Sequence, residues 1–290
     1  MAQQQSGQDT TAAGSAVEAA AKTPAQLAQA MVAGMTAKAA LPLGRMFLLA
    51  MLAGAFIALG AQAANVAAHT ISAVGLQRLV MGCVFPVGLI MVVLLGAELF
   101  TGNCMMLAAL AAKEVSVGKL LRSWVVVYVG NLVGALCIVA LVNATGQLGY
   151  SDAGLAVLTI KIAATKCGLT PLAACCGGIL CNVLVCIAVL LAMAARDVGG
   201  KVLGIWFPVM AFVLSGFEHS IANMYYIPAG LLALSNPAYA AAAEAAGVAT
   251  EALTLSGMAG NLCFVTLGNI IGGALVALVL WYCHGKRPSA

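Results

Sequence analysis

Two short stretches of the sequence share a pattern and decide the fold. Residues 96–103 read GAELFTGN and residues 216–223 read GFEHSIAN, so both follow G-x-E-x-x-x-x-N. Phe-Pro-Val precedes each stretch, at residues 85–87 and again at residues 207–209. A glutamate recurs at the same place in two similar apolar surroundings, which indicates an internal duplication.

A second pair of blocks repeats in the same order further along each copy. Residues 130–134 read GNLVG, and residues 268–272 read GNIIG. Short matches arise by chance in a chain rich in alanine, glycine and leucine. Two blocks matched in the same order favour duplication over chance.

The composition around these stretches is strongly apolar. Of the 290 residues, 63% are hydrophobic and only 8% are charged, whereas a soluble domain carries about 25% charged residues. So few charges cannot cover a soluble globule, and a disordered chain needs the opposite composition. We therefore expect a multi-pass protein in a lipid bilayer. The net charge of +4 is small and dispersed, which argues against a nucleic-acid partner.

Charge-free apolar runs predict six membrane spans, since a spanning helix needs roughly 20 apolar residues. The fifth run is interrupted by Glu218 and His219, and each of its halves is too short to cross alone. A helix broken near the middle of the membrane is the simplest solution. The six predicted spans are 46–66, 79–97, 124–142, 167–195, 202–235 and 259–283.

The repeat relates the second span to the fifth and the third to the sixth. Three spans per copy is an odd number, so the two copies run through the bilayer in opposite directions. We therefore expect an all-α membrane protein with two inverted three-helix repeats, whose second and fifth helices are broken. This architecture is typical of channels and transporters with a site near the midplane.

Glu98 and Glu218 occupy equivalent positions in the two copies. A carboxylate inside a span is costly, at roughly 2.5–3.5 kcal/mol or more at its centre. A broken helix exposes backbone N–H groups that lipid cannot satisfy, and a nearby carboxylate can accept hydrogen bonds from them. We interpret the two glutamates as braces for the helix breaks rather than as groups that move a solute.

The two ends of the chain differ from its apolar body. The start is rich in Gln, Ala, Ser and Thr and has no signal-peptide pattern, while Thr23-Pro24 predicts the N-cap and first position of a helix. The expected organisation is a disordered leader over 1–22, an amphipathic cytoplasmic helix over 23–39, a transmembrane channel domain over 40–285 and a cytoplasmic tail over 286–290.

Basic residues set the expected orientation. Ten lie on the side of the N-terminus, and the other three are Arg78, Lys161 and Lys166. Cytoplasmic loops carry the excess of Lys and Arg, so both termini are expected in the cytoplasm. The ten cysteines mostly lie in apolar runs without a CxxC pair, and we interpret them as small buried apolar residues. We expect no metal and no cofactor.

Four motifs resemble those of the formate/nitrite transporter family. The similarity extends over residues 23–281 and is carried by GAELFTGN (96–103), GGILCNVLVCIA (177–188), SGFEHSIANM (215–224) and VTLGNIIGG (265–273). This resemblance implies an aquaporin-like fold and a homopentamer in the bacterial inner membrane, with one pore in each protomer. It also implies passage of a small monovalent anion that depends on pH.

The resemblance implies roles for individual residues. His219 matches the central histidine that donates a proton, which agrees with the rule that an ionisable residue inside a span is functional by default. Thr101 matches the threonine of the loop that interrupts the second span, and Lys166 the vestibule lysine whose partner is Asn182. Asn269 matches an asparagine of the sixth span. The expected constrictions are Phe85 with Phe212 on the outer side and Leu89 with Phe100 on the cytoplasmic side.

Simpler interpretations remain open for several of these residues. Thr101 could cap the half-helix that follows it, bond a passing anion or His219, or do both. Lys166 could be an anchor that reaches to water, and Lys161 is best interpreted in that way. Asn182 and Asn269 could serve only to tie helices together.

The run HSIANMYYIPAG (219–230) and the long connection over 235–258 resemble formate-type members of the family. We rank formate first, then nitrite, then hydrosulfide, acetate or lactate. An intramembrane enzyme built on the two glutamates and His219 is a different possibility, but the sequence shows no nucleophile–base spacing, metal set or nucleotide-binding loop. A purely structural or sensing module would not need two broken helices.

Overall fold

The computed structural model describes residues 21–285, and over that range the chain is helical. Six helical segments in it are long and apolar enough to cross a membrane, as predicted. They cover Leu43–Ala68, Val74–Leu94, Val117–Ala144, Pro171–Ala194, Val198–Ser215 and Leu255–Gly285. Two shorter apolar helical segments, Phe100–Ala111 and Ser220–Leu234, follow the second and fifth spans.

Thirteen α-helices are described, and two of them, Val74–Val84 and Val87–Leu94, together form the second span. Two others, Gly154–Cys167 and Pro237–Ala245, lie in connections for which the sequence predicts no span. In chain order the helices are α1 (Pro24–Ala39), α2 (Leu43–Ala68), α3 (Val74–Val84), α4 (Val87–Leu94), α5 (Phe100–Asn103), α6 (Met106–Ala111), α7 (Val117–Ala144), α8 (Gly154–Cys167), α9 (Pro171–Ala194), α10 (Val198–Ser215), α11 (Ser220–Leu234), α12 (Pro237–Ala245) and α13 (Leu255–Leu280).

Both predicted breaks are present and have the same construction. The second span ends with α4 before the chain resumes as α5, and the fifth ends with α10 before it resumes as α11. Gly96 and Gly216 begin the two connections with φ of +69° and +72°. Only glycine adopts this left-handed conformation without steric cost, so the shared glycine of the motif is what allows each helix to stop.

The helix predicted after Thr23 is present as α1, and its apolar stripe faces the protein. Thr23 caps it by accepting a hydrogen bond from the backbone N–H of Gln26. Met31 and Met35 are buried in a cluster with residues of α6 and α7. The Arg122 guanidinium on α7 donates to the carbonyl oxygens of Ala39, the last residue of α1, and of Leu41 just beyond it. Helix α1 is therefore packed into the helical body.

Residues 1–20 of the predicted leader and the tail over 286–290 lie outside the described residues. The last two leader residues are described. Ala21 forms a bridge with Ala195, and the Lys22 backbone donates to the carbonyl of Ala194 at the end of α9. The chain therefore joins the helical body two residues before the predicted helix.

The two copies pack in the same way, through pairs of helices that approach closely at glycine. In the first copy α2 packs on α7, and in the second α9 packs on α13. A Cβ placed on Gly134 would overlap the carbonyl oxygen of Met51, and one on Gly268 would overlap that of Cys175. Small residues that let two backbones touch are the usual packing device of membrane helices. We call the face that carries the end of α8 the Lys166 side, and we call the opposite face the α1 side.

This packing makes Gly268→Ala a severe substitution despite its small size. We expect the added methyl group to separate α13 from α9 and to lower the unfolding temperature of the detergent-solubilised protein by about 5–10 °C. Gly260→Ala is the matched control, because it lies in the same helix with no atom within 4 Å of the added Cβ. Equal unfolding temperatures for the two variants would contradict the close approach.

Candidate functional site

The two broken spans meet at a contact between Thr101 and His219. Thr101 lies inside α5, just after the first break, and His219 is the N-cap of α11, just after the second. The Thr101 hydroxyl lies 3.0 Å from Nε2 of His219, and both residues are buried. Thr101 is not a helix cap, since Leu99 holds that position in α5. The structure therefore contains the contact with His219 and not the capping alternative.

The other ring nitrogen of His219 is occupied by the helix that it begins. Nδ1 accepts a hydrogen bond from the backbone N–H of Ala222 at 3.0 Å. Nδ1 therefore holds a lone pair, and in the neutral ring the proton lies on Nε2, which faces Thr101. The ring also stacks on Phe212, with centroids 5.9 Å apart and planes 21° apart. Capping and stacking hold the Nε2–H group in one direction.

An open cavity on the Lys166 side reaches His219, whereas Thr101 does not line it. The vestibule has a volume of about 250 Å³, and His219 lies in its wall. Phe85 and Phe212 line it too, packed edge to face with centroids 5.7 Å apart. Both rings and His219 also line a second, much smaller cavity of about 10 Å³. The two phenylalanines thus line both the larger and the smaller cavity, and their role as the outer constriction stays a prediction.

The residues of the second expected constriction lie in different surroundings. Leu89 lines the small inner cavity. Phe100 packs edge to face against Tyr128 and Trp124, with centroids 5.0 and 6.0 Å away. Its neighbour Leu99 is the residue that faces the cavity. Leu89 and Leu99 therefore meet at this cavity, whereas Phe100 is held against α7.

The two break glutamates form equivalent ion pairs on opposite sides of the protein. Lys38 of α1 donates to Oε1 of Glu98, and Lys166 of α8 donates to Oε1 of Glu218, each at 2.9 Å. The second carboxylate oxygen of each accepts from the last residue of its motif, Asn103 or Asn223. These partners differ from the expected backbone N–H groups. A buried charge needs an opposite charge, which a backbone amide does not supply.

The backbone at each break is braced by asparagine rather than by glutamate. In the second copy, Asn269 donates to the carbonyl oxygen of Glu218 at 2.9 Å and accepts from the backbone N–H of Ser220 at 2.9 Å. In the first copy, Asn131 does the same with Glu98 and Phe100, at 2.9 and 3.0 Å. An amide side chain carries both a donor and an acceptor, so it satisfies both polar groups of an interrupted helix.

Asn182 and Lys166 do not form the pair that the family resemblance implies. Asn182 donates to the carbonyl oxygens of Thr101 and Asn269, so it ties the first break to α13. Lys166 pairs with Glu218 and lies 5.4 Å from the centre of the Tyr226 ring. Its side chain is only 14% exposed, which excludes an anchor that extends to water. Lys166 therefore belongs to the vestibule and Asn182 to the buried frame around Thr101.

Three basic residues lie beside a helix break or in the vestibule at positions that the sequence did not reveal. From the sequence, Lys38 is only one of the basic residues on the side of the N-terminus. In the structure it pairs with Glu98 as Lys166 pairs with Glu218. Each lysine lies near the end of the helix that precedes the first span of its copy, and this equivalence was a usable signal. Arg78 and Lys161 both line the vestibule, which sequence spacing gave no means of foreseeing.

Comparison with known proteins identifies this arrangement. The family model described as formate/nitrite transporter matches residues 25–283, which is nearly the whole described chain. The chain belongs to the formate/nitrite transporter family. This formate/nitrite transporter family member is similar in fold to a solved structure described as "Pentameric formate channel with formate bound", with a TM-score of 0.77 and 36% identity. That alignment covers 84% of this chain and 98% of the solved one.

Curated relatives of this family member carry related names. A "Probable formate transporter" of Methanothermobacter thermautotrophicus is 42% identical over 92% of this chain and 98% of its own. The "Formate channel FocA" of Escherichia coli strain K12 is 38% identical over 72% of this chain and 75% of its own. The family indicated by the four motifs and the fold inferred from the repeat are confirmed. Membership of a family of membrane channels and transporters also confirms transport, rather than an intramembrane reaction, as the class of activity.

Proposed function

We propose that this protein passes formate across the membrane, with nitrite and hydrosulfide as the alternative anions. The relatives and the solved neighbour are named for formate, and they cover most of the chain. The observation that carries the proposal is the Thr101–His219 contact, because His219 lines both the vestibule and the small inner cavity. It offers hydrogen-bond donors to a small anion at the point where the anion has lost most of its water.

The proposed route runs from the vestibule to the α1 side. The anion enters beside Lys166, loses water between Phe85 and Phe212, and then meets the donors of Thr101 and His219. An unpaired charge is costly to place in apolar surroundings. The anion therefore leaves past Leu89 and Leu99 as a neutral acid. Asn182 and Asn269 hold the walls of this route in place through the backbone of the two breaks.

His219 is the proposed proton donor, which makes passage depend on pH. Nε2–H of the neutral ring already faces the route, so the ring must take a second proton at Nδ1 before it can release one. That proton displaces the hydrogen bond from Ala222, a loss of about 1 kcal/mol for an N-cap. An anion at Nε2 offsets this loss by its charge. Transfer from Nε2 then yields neutral formic acid and a neutral ring.

The proposed assembly is a homopentamer in the bacterial inner membrane, in which every protomer has its own route. The pentamer is supported by the solved neighbour, which is itself described as pentameric. We place the α1 side in the cytoplasm, with both termini. Eight basic residues of the described chain lie on that side and three on the Lys166 side, as the positive-inside rule requires. The channel domain is residues 40–285, with the helix over 23–39 on its cytoplasmic side.

Flux measurements in proteoliposomes test the proposal. Formate, nitrite, hydrosulfide and acetate are each supplied in a gradient at several pH values, with protein-free liposomes to subtract leakage of the neutral acids. We expect formate to be carried fastest and its flux to rise as the pH falls. Faster passage of another anion would overturn the choice of formate. Absence of flux above the protein-free level for all four anions would overturn the proposed function.

A further inference from the structure

On the Lys166 side, the basic residues line the vestibule, whereas most of the acidic residues lie outside it. All three basic residues of that side, Arg78, Lys161 and Lys166, line the vestibule. The acidic residues of the connecting segments on the same side lie outside its lining, at Asp152, Glu244 and Glu251. Glu218 is the single carboxylate among the described lining residues. The cavity thus gathers positive charge that the face as a whole does not carry.

Lys166 does not supply the excess charge of this cavity. Its ammonium group lies 2.9 Å from Glu218, and the pair is neutral overall. Among the residues that the structure describes, neither Arg78 nor Lys161 forms an ion pair with a carboxylate. Both therefore bring an uncompensated positive charge to the vestibule. Two such charges in the wall of a concave site attract anions more strongly than the same charges on a flat surface.

The guanidinium of Arg78 lies against the break of the fifth span. A Cβ built on Gly216 would come within 2.7 Å of Nη1 of Arg78, so the group rests on the glycine turn that precedes Glu218. Gly216 and His219 line the same cavity as Arg78. A guanidinium presents two parallel N–H groups that match the two oxygens of a carboxylate, whereas an ammonium acts as a point charge.

We propose that Arg78 and Lys161 form a docking site for a small planar oxyanion in the vestibule, before the anion reaches Thr101 and His219. The ligand class is a carboxylate or nitrite, with two oxygens for the arginine fork. The ion-paired Lys166 is the positioning partner of Glu218 and not the collector of anions. This inference rests on the proposed function, because it describes how the same route is loaded from the Lys166 side.

The test compares Arg78→Gln, Lys161→Gln and the double variant in proteoliposomes, with formate flux measured against concentration at low and high salt. For entry from the Lys166 side, we expect the double variant to be about tenfold slower at low formate and low salt. We expect its rate at saturating formate to stay at the wild-type level. High salt should remove most of the difference in rate between the double variant and the unaltered protein. Lys119→Gln is the matched control, since it removes one exposed positive charge from the α1 side.

Arg78→Lys separates charge from geometry. It keeps the charge, so we expect it to keep the salt dependence of formate entry, but to lose about threefold in preference for formate over chloride as a competing anion. Wild-type concentration and salt dependence in the double variant would overturn the docking site while leaving formate passage intact. A lower saturating rate with an unchanged half-saturating concentration would also overturn it, as a structural effect. No formate flux in the unaltered protein would overturn both proposals.

Discussion

Replacing His219 with asparagine is expected to abolish the pH dependence of formate flux while the protein stays folded. An asparagine oxygen can accept the hydrogen bond from the Ala222 backbone that Nδ1 accepts now, and asparagine is among the best N-cap residues. The start of α11 is therefore retained, and only the titratable ring is lost. This substitution removes the titratable group but keeps the N-cap of α11, whereas most other substitutions of His219 would remove both.

The expected size of the effect follows from the titration of histidine. For the unaltered protein we expect formate flux to rise by more than about tenfold between pH 8 and pH 6, because the doubly protonated ring becomes up to about tenfold more common with each unit by which the pH falls. The asparagine variant has no such rise, after leakage through protein-free liposomes is subtracted. An unfolding curve of the same variant, measured in detergent, accompanies each flux assay and verifies that the variant is folded.

One result would contradict the proton-donor role of His219. A variant that retains the full pH response would show that the proton reaches the anion from another source, and His219 would then be only a hydrogen-bond donor and a cap. His219→Phe is an informative companion, since it keeps a ring to stack on Phe212 but cannot accept from Ala222. We expect that variant to be less stable than His219→Asn by about 1 kcal/mol.

Asn269→Ala is expected to be among the most destabilising single substitutions in the chain. The Asn269 side chain satisfies three buried backbone groups, the carbonyl oxygens of Gly178 and Glu218 and the N–H of Ser220. Each buried group left without a partner costs about 1–3 kcal/mol, so we expect the loss of all three partners to lower the unfolding free energy by about 3–9 kcal/mol. Lipid offers no replacement hydrogen bonds in the middle of a span.

The inverted repeat makes this prediction a paired one. Asn131 satisfies the equivalent groups in the first copy, the carbonyl oxygens of Ala50 and Glu98 and the N–H of Phe100. We therefore expect Asn131→Ala and Asn269→Ala to lower the unfolding temperature by similar amounts. Asn143→Ala is the control, since it removes an exposed asparagine from the same helix as Asn131. An Asn269 variant as stable as the Asn143 variant would refute the bracing role.

The broken helices and the repeat could be predicted because their causes are local. A run of apolar residues either spans the bilayer or does not, and Glu218 with His219 interrupts one such run visibly. The glycine of each motif is required by its own backbone conformation, whatever surrounds it. The count of spans, the position of the breaks and the importance of the two glutamates therefore followed from the chain itself.

The partners of those glutamates could not be predicted, because they come from distant parts of the chain. Lys38 lies 60 residues before Glu98, and Lys166 lies 52 residues before Glu218. A sequence pattern shows that a buried carboxylate must have a partner, but not which of several lysines reaches it. For the same reason the sequence assigns the bracing role to glutamate, since the asparagines that perform it belong to other spans.

The sequence by itself determined that this is a six-span membrane protein with two inverted, interrupted halves, since hydrophobic length and helix-breaking residues act locally. Only the tertiary structure decided which groups meet at the breaks. It brought Thr101 to His219, paired each glutamate with its lysine, and turned Arg78 and Lys161 toward one vestibule. Those contacts depend on the directions in which side chains leave helices packed together from remote segments, and no local pattern encodes those directions.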